Sequence, residues 1–369
     1  MQILDYEYKG QDFEFSQVQF QKINLIVGDS GTGKTRLLNT IFNLGTYVAQ
    51  GKSGGGEGEW KVSLKIGNDT YHWHVSKVKE ETEVVIKNEQ LLLNGTTILE
   101  RDGEKIKFGS FQNLPKLSKK ELSIYILKEE ELIKPIYDGF TRMLRRRFFD
   151  DDLKKNSQIF VTSKKSLDSL GLKRNLYELY KRDYPLNLRL YVLSKYFPQI
   201  FKDIKTLYNE TFDYISDIAI KDSNEFDSIE VLGGAPIFCI KERNIDEWIR
   251  LDELSSGMQK VLLILTDVLS FPSGSIYLLD EYENSLGIGA IDFLPNLLLS
   301  KDIEIQIIFT SHHPYIISHI PVEYWYVAHR NGSQVQFEFG EKLVERYKVS
   351  SQEKYIQLLN DPYYSEGIK

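Results

Sequence analysis

Apolar and polar positions alternate over residues 2–20, as in Gln2-Ile3-Leu4-Asp5-Tyr6 and Phe13-Glu14-Phe15, with Lys9-Gly10 between the runs. A period of two predicts a β-hairpin there. Ile23-Asn24-Leu25-Ile26-Val27 is instead a short, mostly apolar run, the pattern of a strand buried on both faces. Leu37, Leu38, Ile41 and Phe42 then recur at helical spacing. Residues 51–58 are too glycine-rich for regular structure and read as a loop. Short strands are predicted over residues 59–109, punctuated by Gly67-Asn68, Asn94-Gly95 and Asp102-Gly103.

From about residue 119 the period becomes helical, through Leu122, Ile126, Leu132, Ile133, Ile136, Tyr137 and Phe140, and the segment to residue 214 reads as mostly helix. Its tyrosines from Tyr177 to Tyr214 sit at helical spacing among apolar residues and are expected in the core. No heptad run is long enough for an extended coiled-coil arm. Strand patterns return at Pro236–Ile240, Ile276–Leu279 and Ile305–Phe309.

The length of 369 residues leaves room for two or three domains. A net charge of −7 does not favour a protein that coats nucleic acid, although a local basic face fits under an acidic average. Cys239 is the single cysteine, so an internal disulfide and a cysteine zinc site are excluded. Without a membrane-length apolar run or a signal-like start, the expected location is cytoplasmic.

The stretch Gly28-Asp29-Ser30-Gly31-Thr32-Gly33-Lys34-Thr35 lies between the buried-strand pattern and the helix. It fits the phosphate-binding pattern of a glycine, four variable residues and Gly-Lys-Thr. A strand, a glycine turn and a helix aim backbone N–H groups and the positive helix end at phosphates. Lys34 would reach the β- and γ-phosphates and Thr35 would offer its hydroxyl to Mg2+, which makes ATP and Mg2+ the expected ligands. The apolar strand Ser275–Leu279 ends in Asp280-Glu281, where Mg2+-organising and water-activating carboxylates belong beside a phosphate loop.

Other clusters point elsewhere. Arg145-Arg146-Arg147 reads as a solvated helix face, with a partner or nucleic-acid surface as the alternative. His72 and His74 share one strand face without a third ligand in reach, and a packed or surface pair is the better reading. Asp150-Asp151-Asp152 contains a D-x-D, but no nuclease domain is visible beyond the ATPase motifs.

Four segments occur in one order: GDSGTGKT, LSSGMQK, IYLLDEYENSL and FTSHHP. This order resembles the ATP-binding-cassette-type ATPase heads of RecF- and SMC-type proteins and the OLD-like ATPases of bacterial defence systems. The resemblance implies an α/β P-loop NTPase fold with a mixed core sheet, an antiparallel β subdomain and a helical insertion. It implies that Asp280 supports Mg2+, Glu281 polarises the attacking water and His312 senses the γ-phosphate. Ser255, Ser256 and Gly257 would cap a nucleotide held by a second copy, so a head-to-tail dimer or higher oligomer is expected. Ser256 stands where glycine is common, Gly287-Ile288-Gly289 replaces the usual D-loop continuation, and His313 follows the switch histidine. Gln112 is one candidate for the Q-loop position beside the metal.

The expected organisation is residues 1–118 as an N-terminal lobe with the phosphate loop and the antiparallel strands, 119–214 as the helical insertion, 215–345 as a C-terminal lobe and 346–369 as a tail. The stretch Leu358–Tyr364 is expected to be ordered. The resulting functional expectation is an ATP-hydrolysing switch or assembly scaffold that controls a separate effector, a nuclease, in anti-phage defence of the PARIS or Septu type. A DNA-repair ATPase that clamps DNA through Arg142, Arg145, Arg146 and Arg147 is the alternative, and a scaffold with negligible turnover is the third class.

Overall fold

The computed structural model describes residues 1–51, 56–110, 118–147, 176–181, 184–226, 234–283, 286, 291, 295–300, 303–344 and 351–368. The chain forms two compact units. One comprises residues 1–146, 274–280 and 305–369, and the other residues 147–273 and 281–304.

In the first unit the alternating N-terminal residues form β1 (Gln2–Lys9) and β2 (Glu14–Gln19), antiparallel, with Lys9 opposite Glu14. The meander continues on the other side of β1 through β4 (Gly58–Ile66), β5 (Asp69–Glu80), β6 (Glu83–Leu93), β7 (Thr96–Asp102) and β8 (Lys105–Phe108). Asn94 and Gly95 both take positive φ, 49° and 81°, as a two-residue hairpin of this hand requires. His72 Nδ1 lies 2.9 Å from Ser63 Oγ, and His74 Nε2 lies 2.7 Å from Glu59 Oε1.

The buried run becomes β3 (Ile23–Val27), parallel to β14 (Gln306–Thr310) on one side and to β15 (Trp325–Asn331) on the other. Next to β14 comes β13 (Ile276–Leu279), and β9 (Met143–Arg146) closes that edge, also parallel. Strand β16 (Gln334–Phe339) pairs antiparallel with β15 and parallel with β2, which merges the meander and the parallel strands into one sheet, of thirteen strands among the described residues. Two buried polar side chains fasten these strands. Asn24 Nδ2 donates to Ile307 O at 3.1 Å, and Gln306 Nε2 donates to Ile3 O at 2.8 Å.

Strand β9 interrupts the segment to residue 214 that reads as mostly helix. Its four residues lie beside β13 in register, Leu278 opposite Arg145 and Leu279 opposite Arg146. Arg145 and Arg146 are therefore strand residues with buried side chains rather than a solvated helix face. Exposed Arg147 is the last residue described before a gap that includes Asp150-Asp151-Asp152.

In the second unit β10 (Ile215–Asp222), β11 (Pro236–Glu242) and β12 (Trp248–Arg250) form an antiparallel sheet. Helices Leu186–Tyr196, Pro198–Thr211 and Ser256–Ser270 accompany it. Buried Asn187 Oδ1 accepts from Phe238 N at 2.9 Å, and the hydroxyl of buried Tyr208 donates to Met258 O at 3.2 Å. Tyr184, Tyr191 and Tyr208 are in the core, as their spacing predicts, whereas Tyr214, at the end of that run, is 42% exposed and corrects the expectation there.

The C-terminal stretch has regular structure. It forms helices Ser351–Asn360 and Pro362–Ser365, with Leu358 buried and Asp361 Oδ1 capping Tyr363 N at 2.8 Å. Among the described residues no helix is long and apolar enough to cross a membrane.

Candidate nucleotide site

In a parallel sheet, ligands gather at the carboxyl ends of the strands. Here β3 ends at Val27, β13 at Leu279 and β14 at Thr310, so Gly28, Asp280 and His312 emerge at one edge of neighbouring strands.

The phosphate loop turns from β3 into the helix Lys34–Gln50, with Gly33 as N-cap at φ 100°. That left-handed conformation suits glycine, and it lets the backbone fold tightly under the first helical turn. Lys34 is 8% exposed, and its Nζ donates to Gly28 O at 2.7 Å and Asp29 O at 2.9 Å. Thr32 Oγ1 donates to Asp29 O at 2.8 Å, and Ser30 N to Asp29 Oδ1 at 2.7 Å. The loop thus curls around the lysine amine with a first helical turn whose N–H groups point outward.

Asp280 is the hub of the site. Its Oδ1 accepts from Thr35 Oγ1 at 3.0 Å and from Thr310 Oγ1 at 2.9 Å. Its Oδ2 accepts from Arg145 Nη2 at 2.9 Å. The carboxylate is 8% exposed, so each of these bonds acts where water screens little. Thr310 lies within the FTSHHP segment but had no role at sequence level; its signal was its place at the end of a buried strand beside the acidic pair. His312 is exposed in the turn between β14 and the helix Pro314–His319.

Glu281 follows Asp280 directly and takes φ 47°, one of four non-glycine residues with positive φ among those described. Such backbone costs on the order of 1–3 kcal/mol and collects at functional positions. Tyr282 and Glu283 behind it are buried. In the second unit Ser255 caps the Ser256–Ser270 helix, its Oγ accepting from Met258 N at 3.3 Å. Ser255 and Ser256 are exposed at that helix start. Lys260, one turn on, is fully buried. Burial pulls its ammonium down to about 7, while Glu283 and Glu281 act in the opposite direction.

The C-terminal turn leans on the phosphate loop. Arg330 Nη1 donates to Gly31 O at 3.2 Å, and Arg330 N to Gly367 O at 2.7 Å. A Cβ on Gly31 would stand 3.1 Å from Ile368 Cδ1, so that face of the loop is covered. Gln112 lies outside the described residues, as do Asn284, Ser285 and residues 287–290 of the D-loop position.

Solved structures of SMC heads share this architecture. An SMC head bound to the C-terminal winged-helix domain of ScpA aligns with a TM-score of 0.54 at 11% identity, covering 91% of this chain and 96% of that one. An SMC head with an extended coiled coil, bound to the C-terminal domain of ScpA derived from Pyrococcus furiosus, aligns with a TM-score of 0.51 at 13% identity, covering 94% and 99%. At these identities the likeness establishes the fold: an α/β P-loop NTPase head with a mixed sheet and a small antiparallel sheet. No curated protein matches the chain. A family profile matches residues 126–318, which include Asp280, Glu281 and His312 and leave the phosphate loop outside. That span is just over half of the sequence, and the chain belongs to the AAA_21 family, described as "AAA domain, putative AbiEii toxin, Type IV TA system".

Proposed function

We propose that this chain binds and hydrolyses ATP with Mg2+ and uses the cycle to switch a separate effector protein. The observation that carries this reading is the hydrogen bond between Thr35, at the start of the phosphate-loop helix, and Asp280, at the end of a neighbouring parallel strand. Hydroxyl and carboxylate oxygens so placed suit Mg2+, which takes few protein ligands and completes its shell with phosphate oxygens and water. Mg2+ held there would neutralise charge on the β- and γ-phosphates. Lys34 binds the same phosphates, with Gly28, Asp29, Ser30, Gly31, Thr32 and Gly33 supplying the backbone cradle. Glu281 orients and polarises the attacking water. His312 senses the γ-phosphate from the next strand end. Ser255, Ser256 and Gly257 act on nucleotide held by a second copy, a role that fits the exposure of Ser255 and Ser256 at a helix N-terminus.

A toxin–antitoxin or anti-phage setting is supported by the family's description, and a protein partner by the ScpA domains bound to the SMC heads. The DNA-clamp alternative loses part of its basis, because Arg145 and Arg146 are buried and face the protein. The test is phosphate release by the purified chain, alone and with the product of its neighbouring gene. Turnover that disappears in Lys34→Ala supports the reading. Tight nucleotide binding without turnover in either condition would leave a scaffold instead.

A further inference from the structure

We infer that Arg145 is a positioning residue that couples divalent-cation binding to the nucleotide. Strand β9 runs beside β13 as far as Asp280, whose N donates to Arg146 O at 3.1 Å. This places Arg145 where one guanidinium spans two elements of the site. Its Nη2 donates to Asp280 Oδ2 at 2.9 Å, and its Nη1 donates to Asn39 Oδ1 on the phosphate-loop helix. The side chains of Arg145 and Asp280 are 3% and 8% exposed. The fork geometry of arginine allows both bonds at once, which lysine does not.

Two consequences follow for the carboxylate. With Oδ2 held by Arg145, Oδ1 is the oxygen turned to Thr35 and Thr310, so the orientation of Asp280 is fixed before any ligand arrives. The guanidinium also cancels the charge of Asp280 at hydrogen-bond distance, in a place shielded from water. Among the described residues of the first unit, the buried charged side chains at this edge are Lys34, Arg145 and Arg146 against Asp280, an excess of positive charge. Such a site repels a free dication, and the negative triphosphate reverses that balance. Arg145 therefore makes the cation enter with the nucleotide rather than ahead of it. This rests on the ATP and Mg2+ reading above.

The experiment is a titration with Mn2+, followed by electron paramagnetic resonance, on the full chain with and without a non-hydrolysable ATP analogue. The wild type should take up Mn2+ saturably only with the analogue. Arg145→Gln, which removes the charge, should bind Mn2+ at least ~10-fold more tightly in the absence of nucleotide. Adding Asp280→Asn to that variant should abolish the gain, and Arg145→Lys should restore exclusion. Saturable Mn2+ binding by the nucleotide-free wild type, blocked by Asp280→Asn, would overturn the inference even if Arg145→Gln fails to fold. So would a folded Arg145→Gln chain that excludes Mn2+ as the wild type does. Analogue binding in EDTA, lost in Lys34→Ala, is a separate readout: if it holds while the Mn2+ result fails, the nucleotide reading stands without the role of Arg145.

Discussion

The Arg189–Asp267 pair is the sharpest structural dependency of the second unit. Asp267 lies on the Ser256–Ser270 helix and Arg189 on the Leu186–Tyr196 helix, and their side chains are 0% and 1% exposed. The Arg189 guanidinium also sits 5.2 Å from the centre of the Tyr180 ring. Asp267→Ala leaves a buried cation without its carboxylate, a change that costs about 3–5 kcal/mol. That is a large fraction of a typical stability of about 5–15 kcal/mol. Replacing both partners, Arg189→Met with Asp267→Leu, should recover most of the loss, because an apolar pair needs no desolvation of charge. A global melt of two units need not be two-state, so the assay is native-state hydrogen exchange read on peptides covering the two helices. The single variant should accelerate exchange there by about two to three orders of magnitude, and the double variant by far less. Exchange within about tenfold of wild type in the single variant would refute the claim that this pair holds the helix carrying Ser256 and Gly257.

Three further outcomes follow from the site. The folded chain pulls Lys260 from 10.5 to about 7 by burial, so between those values the unfolded chain binds more protons and stability rises with pH. Against Lys260→Met, the wild-type unfolding free energy should therefore climb by about 5 kcal/mol from pH 7 to 10.5 and level off on either side; a flat difference contradicts the buried amine. Thr35→Val should lower the apparent affinity of the ATPase for Mg2+ while leaving analogue binding in EDTA within about threefold, and an equal loss in both would mean the hydroxyl serves the loop fold instead. Mixing Lys34→Ala chains with Ser255→Arg chains should restore phosphate release, since one composite site then has both parts intact. No recovery, together with a crosslink joining the signature to the phosphate loop only within one chain, would reject sharing between copies.

The strand, glycine turn and helix around Gly28–Thr35 were legible because their evidence is local. The buried run, the glycines and the helical period are contiguous, and each dictates its own geometry. The same holds for the antiparallel meander, whose alternation and turn glycines repeat along the chain. Strand β9 was not legible: four residues with two arginines carry no strand period, and they become a strand only because β13, far along the chain, offers a parallel edge. Arg145 reads as a surface charge until Asp280 and Asn39 are seen beside it. Lys260 and the Arg189–Asp267 pair escaped for a like reason, since burial of a charge depends on distant partners. Asn24 and Gln306 interrupt apolar runs and turn out to be ties between strands.

The central claim is that ATP is held between two copies of this chain. Its most direct test is the mass in solution of Glu281→Gln with ATP and Mg2+, measured by light scattering. This variant keeps the phosphate loop and loses the group proposed to polarise water, so nucleotide stays bound. The account predicts a shift from one chain of 42.9 kDa to twice that mass on adding ATP, reversed in Lys34→Ala and blocked by Ser255→Arg. A Glu281→Gln chain that binds ATP tightly and stays at the mass of one chain would contradict it.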